Sequence, residues 1–124
     1  LRLINVWATW CGPCVTEFPS FITMHRMYRG RDFEFISISA DNPSIKEKVL
    51  KFLQKNQASN TNYLFSEDDK YKLIEAIDPK WQGALPYTIL VEPGGKIVYS
   101  RLGIIDPAEM KKLIVENRYM GRYY

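Results

Sequence analysis

The sequence predicts an α/β fold, a central mixed β-sheet flanked by helices. Three observations carry this expectation. The apolar run Leu3-Ile4-Asn5-Val6-Trp7 leads through a helix-compatible stretch into the alternating Phe33-Glu34-Phe35-Ile36-Ser37-Ile38-Ser39. That is a βαβ unit, whose strands should be parallel and right-handed in crossover. Near the other end, strand-forming residues 87–91 and 97–102 flank Glu92-Pro93-Gly94-Gly95-Lys96, a turn that returns the chain antiparallel. Between the two halves, the pattern reads helix, short strand, helix.

The remaining elements follow in order. The first helix is expected over residues 11–29. Val15, Phe18, Ile22 and His25, with Phe21 and Tyr28 beside them, form an apolar stripe at helical spacing. Pro19 falls inside it, where a proline removes one backbone hydrogen bond and kinks the helix. Gly30 is a C-terminal stop. Asn42 caps the next helix with Pro43 in its first position, and Ile45, Val49, Phe52 and Leu53 give it an apolar face. Residues 62–65 make a short strand. Ser66 and Asp69 open a third helix as a capping box, Leu73, Ile74 and Ile77 are its buried face, and Asp78-Pro79 closes it. Asp106, Pro107 and Glu109 start the last helix, with Met110, Leu113 and Ile114 facing inward. For the aromatic tail Tyr119-Met120-Gly121-Arg122-Tyr123-Tyr124 two readings stand, wrapping onto the body or contacting a partner.

Composition narrows the function classes. The 124 residues fit one domain, residues 1–124, able to bury roughly two thirds of its unfolded surface. The hydrophobic share is 46% and the charged share 25%, as in ordinary globular proteins. A net charge of +3, from 17 basic and 14 acidic residues spread evenly, argues against a nucleic-acid partner. No apolar run approaches a membrane span. The chain begins at Leu1 inside a strand pattern. The expectation is therefore that an N-terminal portion of the full protein is absent, where a signal peptide, lipid anchor or further domain would sit.

Both cysteines lie in Val6-Trp7-Ala8-Thr9-Trp10-Cys11-Gly12-Pro13-Cys14. A Cys-x-x-Cys beside a βαβ pattern reads as a thiol–disulfide redox site. Two cysteines in the first turn of a helix can close a small ring. Cys11 would lie near the unpaired N–H groups of the helix start, whose partial positive charge favours the nucleophilic thiolate. Cys14, one turn deeper, can attack back and release what Cys11 has captured. The alternative is a metal knuckle or a pair of inert thiols. A closed zinc site takes four N/S ligands, and the chain offers two cysteines and His25. No metal and no organic cofactor are expected; the redox-active Cys11–Cys14 disulfide would itself carry the electrons.

Trp10-Cys11-Gly12-Pro13-Cys14 matches the thioredoxin active-site motif letter for letter. The longer string, Trp-Cys-x-Pro-Cys-x-x-Glu-x-Pro, resembles the TlpA/ResA-type branch of the thioredoxin superfamily. These are extracytoplasmic thiol–disulfide oxidoreductases, usually reductants. The resemblance implies a thioredoxin-like fold with a helix–strand insertion before a cis-proline loop, and it accounts for Pro19. It implies that Cys11 is the nucleophile, Cys14 the resolving thiol and Glu17 an active-site carboxyl. It further implies that Pro86 is cis and sits against the cysteine pair. Leu85 would pair its backbone with an extended substrate segment, beside Trp10, Gly12 and Pro13. From its own residues, Pro86 reads as a trans proline at a strand start, the commoner state of a proline, and Glu17 reads equally as a solvated helix glutamate; the cysteine motif upstream is what favours cis. The implied partners are a disulfide-bearing protein, such as apocytochrome c or copper-site cysteines, and an upstream membrane electron donor. A monomer outside the cytoplasm, periplasmic or membrane-tethered, is expected.

One departure matters. Thioredoxin has a buried, titratable aspartate where this chain has Asn5. Any proton carrier here must be Glu17 or water. Trp7 reads as core, and His25 as a satisfied core or boundary histidine. Trp81 reads as a cover for the site or as buried packing. Two other function classes compare poorly. Peroxiredoxins place a threonine three residues before the reactive cysteine, where this chain has Ala8, with Thr9 one place off. Copper chaperones of this fold use a wider Cys-x-x-x-Cys and a distant histidine, and both are missing.

Overall fold

The computed structural model describes residues 1–66 and 70–121. Within them, strands β1 (Arg2–Trp7), β2 (Glu34–Ser39), β3 (Thr61–Leu64), β4 (Tyr87–Val91) and β5 (Ile97–Leu102) form one sheet in the order β3-β2-β1-β4-β5. Strand β2 pairs parallel with both β1 and β3, whereas β4 pairs antiparallel with β1 and β5. The sheet is mixed, as expected. The helices are α1 (Gly12–Tyr28), α2 (Lys46–Lys55), α3 (Lys70–Ile77) and α4 (Pro107–Glu116).

Strand alternation sorts side chains onto two faces. Register places Leu3 opposite Phe35 and Leu90, so these share a face with Trp7. That face carries α1, α2 and α4 through Phe18, Phe21, Met24, Val49, Met110 and Ile114. Helices α1 and α2 lie on the same side because β1→β2 and β2→β3 are successive parallel crossovers of one hand. On the opposite face, Val6, Tyr87 and Ile89 pack against Leu73 of α3 and against Trp81. The stretch α2–β3–α3 between β2 and the proline loop therefore supplies a helix to each face. An aromatic knot joins α1 to the sheet, with Phe18 4.9 Å from Trp7 and 5.3 Å from Phe52, ring centre to ring centre.

Boundaries differ from expectation in small ways. Asn42 caps a 3-10 turn (Pro43–Ile45), accepting from the Ser44 N–H at 2.9 Å, and α2 starts only after it. Helix α1 runs on through Pro19. Its stripe also includes Met24, while Val15 is half-buried. Gly30 has a φ of +84°, the left-handed conformation of a helix stop. His25 is buried, and among the described residues only Nε2 has a partner, Ser59 Oγ at 3.3 Å, while Nδ1 has none, so it is half satisfied there. The start of the tail wraps onto the body. Met120 is buried, and Gly121 exchanges hydrogen bonds with Arg31. A side chain at Gly121 would stand 2.9 Å from the Arg31 backbone carbon. Asp69 and the final residues 122–124 lie outside the described residues.

Candidate active site

Strand β1 ends at Trp7, and the chain turns through Ala8-Thr9-Trp10 with the Cys11 N–H bonded to the Ala8 carbonyl at 3.2 Å. Cys11 is the N-cap of α1, with extended backbone angles, and its sulfur accepts from the Cys14 N–H at 3.3 Å. Pro13 in the first turn lacks only an N–H that has no helical partner anyway. Cys11 and Cys14 are joined as a disulfide with their Cα atoms 5.3 Å apart. The pair is asymmetric. Cys14 is wholly buried, whereas Cys11 retains 7% exposure beside the exposed Gly12 and Pro13. Of the two, Cys11 is the one that keeps any exposure, and a cysteine at a helix N-terminus is placed where a thiolate is favoured.

The turn before Cys11 is fixed from β2. Asp41, 1% exposed, accepts from the Thr9 N–H at 3.0 Å, from the Thr9 hydroxyl at 2.6 Å and from the Ser39 hydroxyl at 2.6 Å. A buried carboxylate needs such donors. Next to this clasp, Trp10 projects into solvent at 65% exposure.

The second loop reaches the site from β4. The Leu85–Pro86 peptide bond is cis, as the resemblance implied. Trp81 stacks on Tyr87 at 5.1 Å and donates from Nε1 to the Ala84 carbonyl at 2.8 Å. The Tyr87 hydroxyl donates to Asp78 at 2.7 Å. Trp81 is buried, as the packing reading has it, and it lines a cavity of about 300 Å³ with Trp10 and Leu85. Leu85 packs against the cluster that contains Cys11 and Cys14. The Pro86 carbonyl accepts from Gly103 N–H at 2.8 Å, which ties the loop to the end of β5.

Glu17 lies one turn beyond Cys14 on α1 and is 5% exposed, which excludes the solvated reading. Its Oε2 accepts from the Ile105 N–H at 3.0 Å, and its Oε1 has no partner among the described residues. Burial pushes the carboxyl up to about 7, against the pull of the Ile105 N–H and the Arg101 charge. Asn5 is buried in the sheet and donates to Thr88 Oγ1 at 3.1 Å. It cannot titrate, whereas Glu17, one turn along α1 from Cys14, is a carboxyl that burial lifts to about 7.

The structure thus places Trp10, Cys11, Gly12, Pro13, Cys14 and Glu17 on the β1–α1 turn and the start of α1, and Leu85, just before β4 and joined by a cis bond to Pro86, packs against the cluster that holds the cysteines. Sequence reasoning missed Asp41, Thr9, Arg101 and Ile105. Asp41 carried a faint signal, as an acid at the carboxyl end of a parallel strand, where α/β sheets build sites. Arg101 carried none.

A protein of thioredoxin fold whose chemistry resides in a paired disulfide is the class this architecture defines. The chain belongs to the Redoxin family, whose model matches residues 2–114. It is similar to the thiol-disulfide oxidoreductase ResA of Bacillus subtilis strain 168, 27% identical over 95 residues covering 77% of this chain and 49% of that protein. ResA of Bacillus thuringiensis strain Al Hakam is 30% identical over 100 residues, covering 81% and 53%. The chain spans about half the length of these curated relatives. Among solved structures, a thiol:disulfide interchange protein of the thioredoxin family from Chlorobium tepidum TLS superposes with a TM-score of 0.77. It is 19% identical, and the match covers 92% of this chain and 77% of that one.

Proposed function

We propose that this protein reduces disulfides in other proteins through a Cys11/Cys14 dithiol–disulfide cycle. The observation that carries the reading is the asymmetric disulfide at the N-cap of α1, with Cys14 wholly buried and Cys11 keeping 7% exposure beside the exposed Gly12 and Pro13. In the reduced protein the Cys11 thiolate attacks one sulfur of a target disulfide. A Cys11–target bond forms, and the other target sulfur leaves as a thiolate that takes a proton from water. Cys14 then gives up its proton and attacks Cys11. The internal disulfide closes, the mixed bond breaks, and the second target thiolate leaves. Two electrons have passed to the target. Glu17 is the acceptor we assign to the Cys14 proton, because a carboxyl near pH 7 takes and returns protons at working pH. The exposed Trp10, Gly12 and Pro13, with Leu85 and the cis Pro86, would hold the target segment.

An upstream dithiol donor must return two electrons, and a membrane carrier is our reading of that donor. An extracytoplasmic setting, with apocytochrome c or copper-site cysteines as targets, is favoured by the Glu17 and Pro19 extension of the motif. The test is capture. Cys14→Ala mixed with a disulfide-bearing protein such as insulin should accumulate a mixed disulfide on Cys11, visible by mass. Cys11→Ala should capture nothing and reduce nothing. Equal partial activity in both variants would sink the resolving mechanism.

A further inference from the structure

A single peptide group separates Glu17 from Arg101. The Arg101 Nε–H donates to the Ile104 carbonyl at 2.8 Å. The amide on the far side of that same peptide, the Ile105 N–H, donates to Glu17 Oε2 at 3.0 Å. A guanidinium on the oxygen end and a carboxyl on the N–H end polarise the group in one direction. Hydrogen bonds in such a chain strengthen one another.

We propose that Arg101 is a positioning residue for the exchange at Cys11–Cys14, acting on Glu17 through the Ile104–Ile105 peptide rather than by contact with the sulfurs. The inference rests on the reading of Glu17 as the proton carrier. Three features favour it. Glu17 is buried, so the few donors that reach it control it strongly. Its other oxygen is unpartnered among the described residues, so the Ile105 N–H is the hydrogen bond that orients the carboxyl. Arg101 lies on β5, at the end that also holds the Pro86 carbonyl through Gly103, so one short segment links carboxyl and proline loop.

The other charged or titratable groups around the carboxyl are few. On α1, Cys14 stands one turn before it and Cys11 two, and the two form a disulfide without charge in this state. From β5 it is faced by Arg101 and by the Tyr99 phenol, whose own surroundings include Glu109 of α4. Burial raises Tyr99 first of all, which keeps it neutral at working pH. Arg101 is therefore the cation of the set, and its pull on Glu17 is downward.

The experiment is a pH titration of the Glu17 carboxyl, followed by carbon NMR in the oxidised, disulfide-bonded protein where no thiol titrates. Arg101→Met should move the midpoint upward by about half a unit to one unit. Arg101→Lys, which keeps a charge and a donor, should fall between. The displacement should persist at about 1 M salt, because screening removes distant surface charge effects but not a hydrogen-bonded relay. A midpoint in Arg101→Met that coincides with the parent overturns the inference. So does a displacement that vanishes in salt, since Arg101 would then act only as a distant charge. Glu17→Gln separates the underlying reading. If that variant leaves the pH profile of disulfide exchange unchanged, Glu17 is not the proton carrier, whatever the NMR midpoints show.

Discussion

At the scale of single residues, Glu17 is the buried carboxyl that ties folding stability to pH. Burial lifts its carboxyl from an ordinary 4.5 to about 7. Between these values the folded protein holds a proton that the unfolded chain has released. Stability therefore falls as pH rises from about 4.5 to about 7 and levels off above. The cost of ionising the buried group is on the order of 3 kcal/mol at pH 8. Glu17→Gln should flatten that slope in denaturant unfolding measured from pH 5 to pH 8, and it should be more stable than the parent at the upper end. In the reduced form it should also alter the pH dependence of thiol alkylation. An unaltered alkylation profile would remove Glu17 from the mechanism. The cysteines and Glu17 were legible in the sequence because their relation is local, at three-residue spacings on one helix. Asp41 and Arg101 were not, since they reach the site from β2 and β5 by pairings that no local pattern encodes. His25 shows the converse limit. Its place in the stripe was plain, but burial and the charges of Arg29 and Arg26 lower its proton affinity, and Nδ1 has no partner among the described residues.

At the scale of elements, the loop before β4 is held by the stack of Trp81 on Tyr87 and by the Tyr87–Asp78 hydrogen bond. Asp78 is held below its usual value chiefly by the Tyr87 hydroxyl, then by the Lys80 N–H. Its folded value is depressed, so the stabilisation is present above the unfolded value of 3.8 and is lost as pH falls. Tyr87→Phe should cost about 1.5–3 kcal/mol at neutral pH, the usual worth of a hydrogen bond to a charged group. The difference from the parent should shrink in acid, and unfolding curves at pH 7 and pH 3 would show it. The elements themselves were largely readable. Alternation gave β2, the proline–glycine turn gave β4 and β5, and the Asp106 cap gave α4. The 3-10 turn at Pro43–Ile45 was not, because a capped proline start looks the same in sequence whether the first turn is tight or α-helical.

At the scale of the whole molecule, the mixed sheet delivers two loops to one end of β1. One carries the disulfide, the other the cis proline, and the β5–α4 segment closes the ring by binding both Pro86 and Glu17. The α2–β3–α3 stretch, longer by a helix and a strand than a minimal thioredoxin has here, puts a helix on each sheet face, and with α3 come Leu73 and Ile74, which wall the cavity beside Trp10. The presence of the insertion followed from counting elements between β2 and the proline loop. Which face each helix takes depends on crossover hand and on where the chain changes direction, which only the assembled sheet displays. The Gly12-Pro13 pair between the cysteines suggests a reducing site. The central claim, that the Cys11–Cys14 pair gives electrons to other proteins, is tested most directly by its equilibrium reduction potential against a glutathione or dithiothreitol couple. The account predicts a value near that of thioredoxin, about −270 mV; a value near −120 mV, about that of a strong disulfide donor, would contradict it.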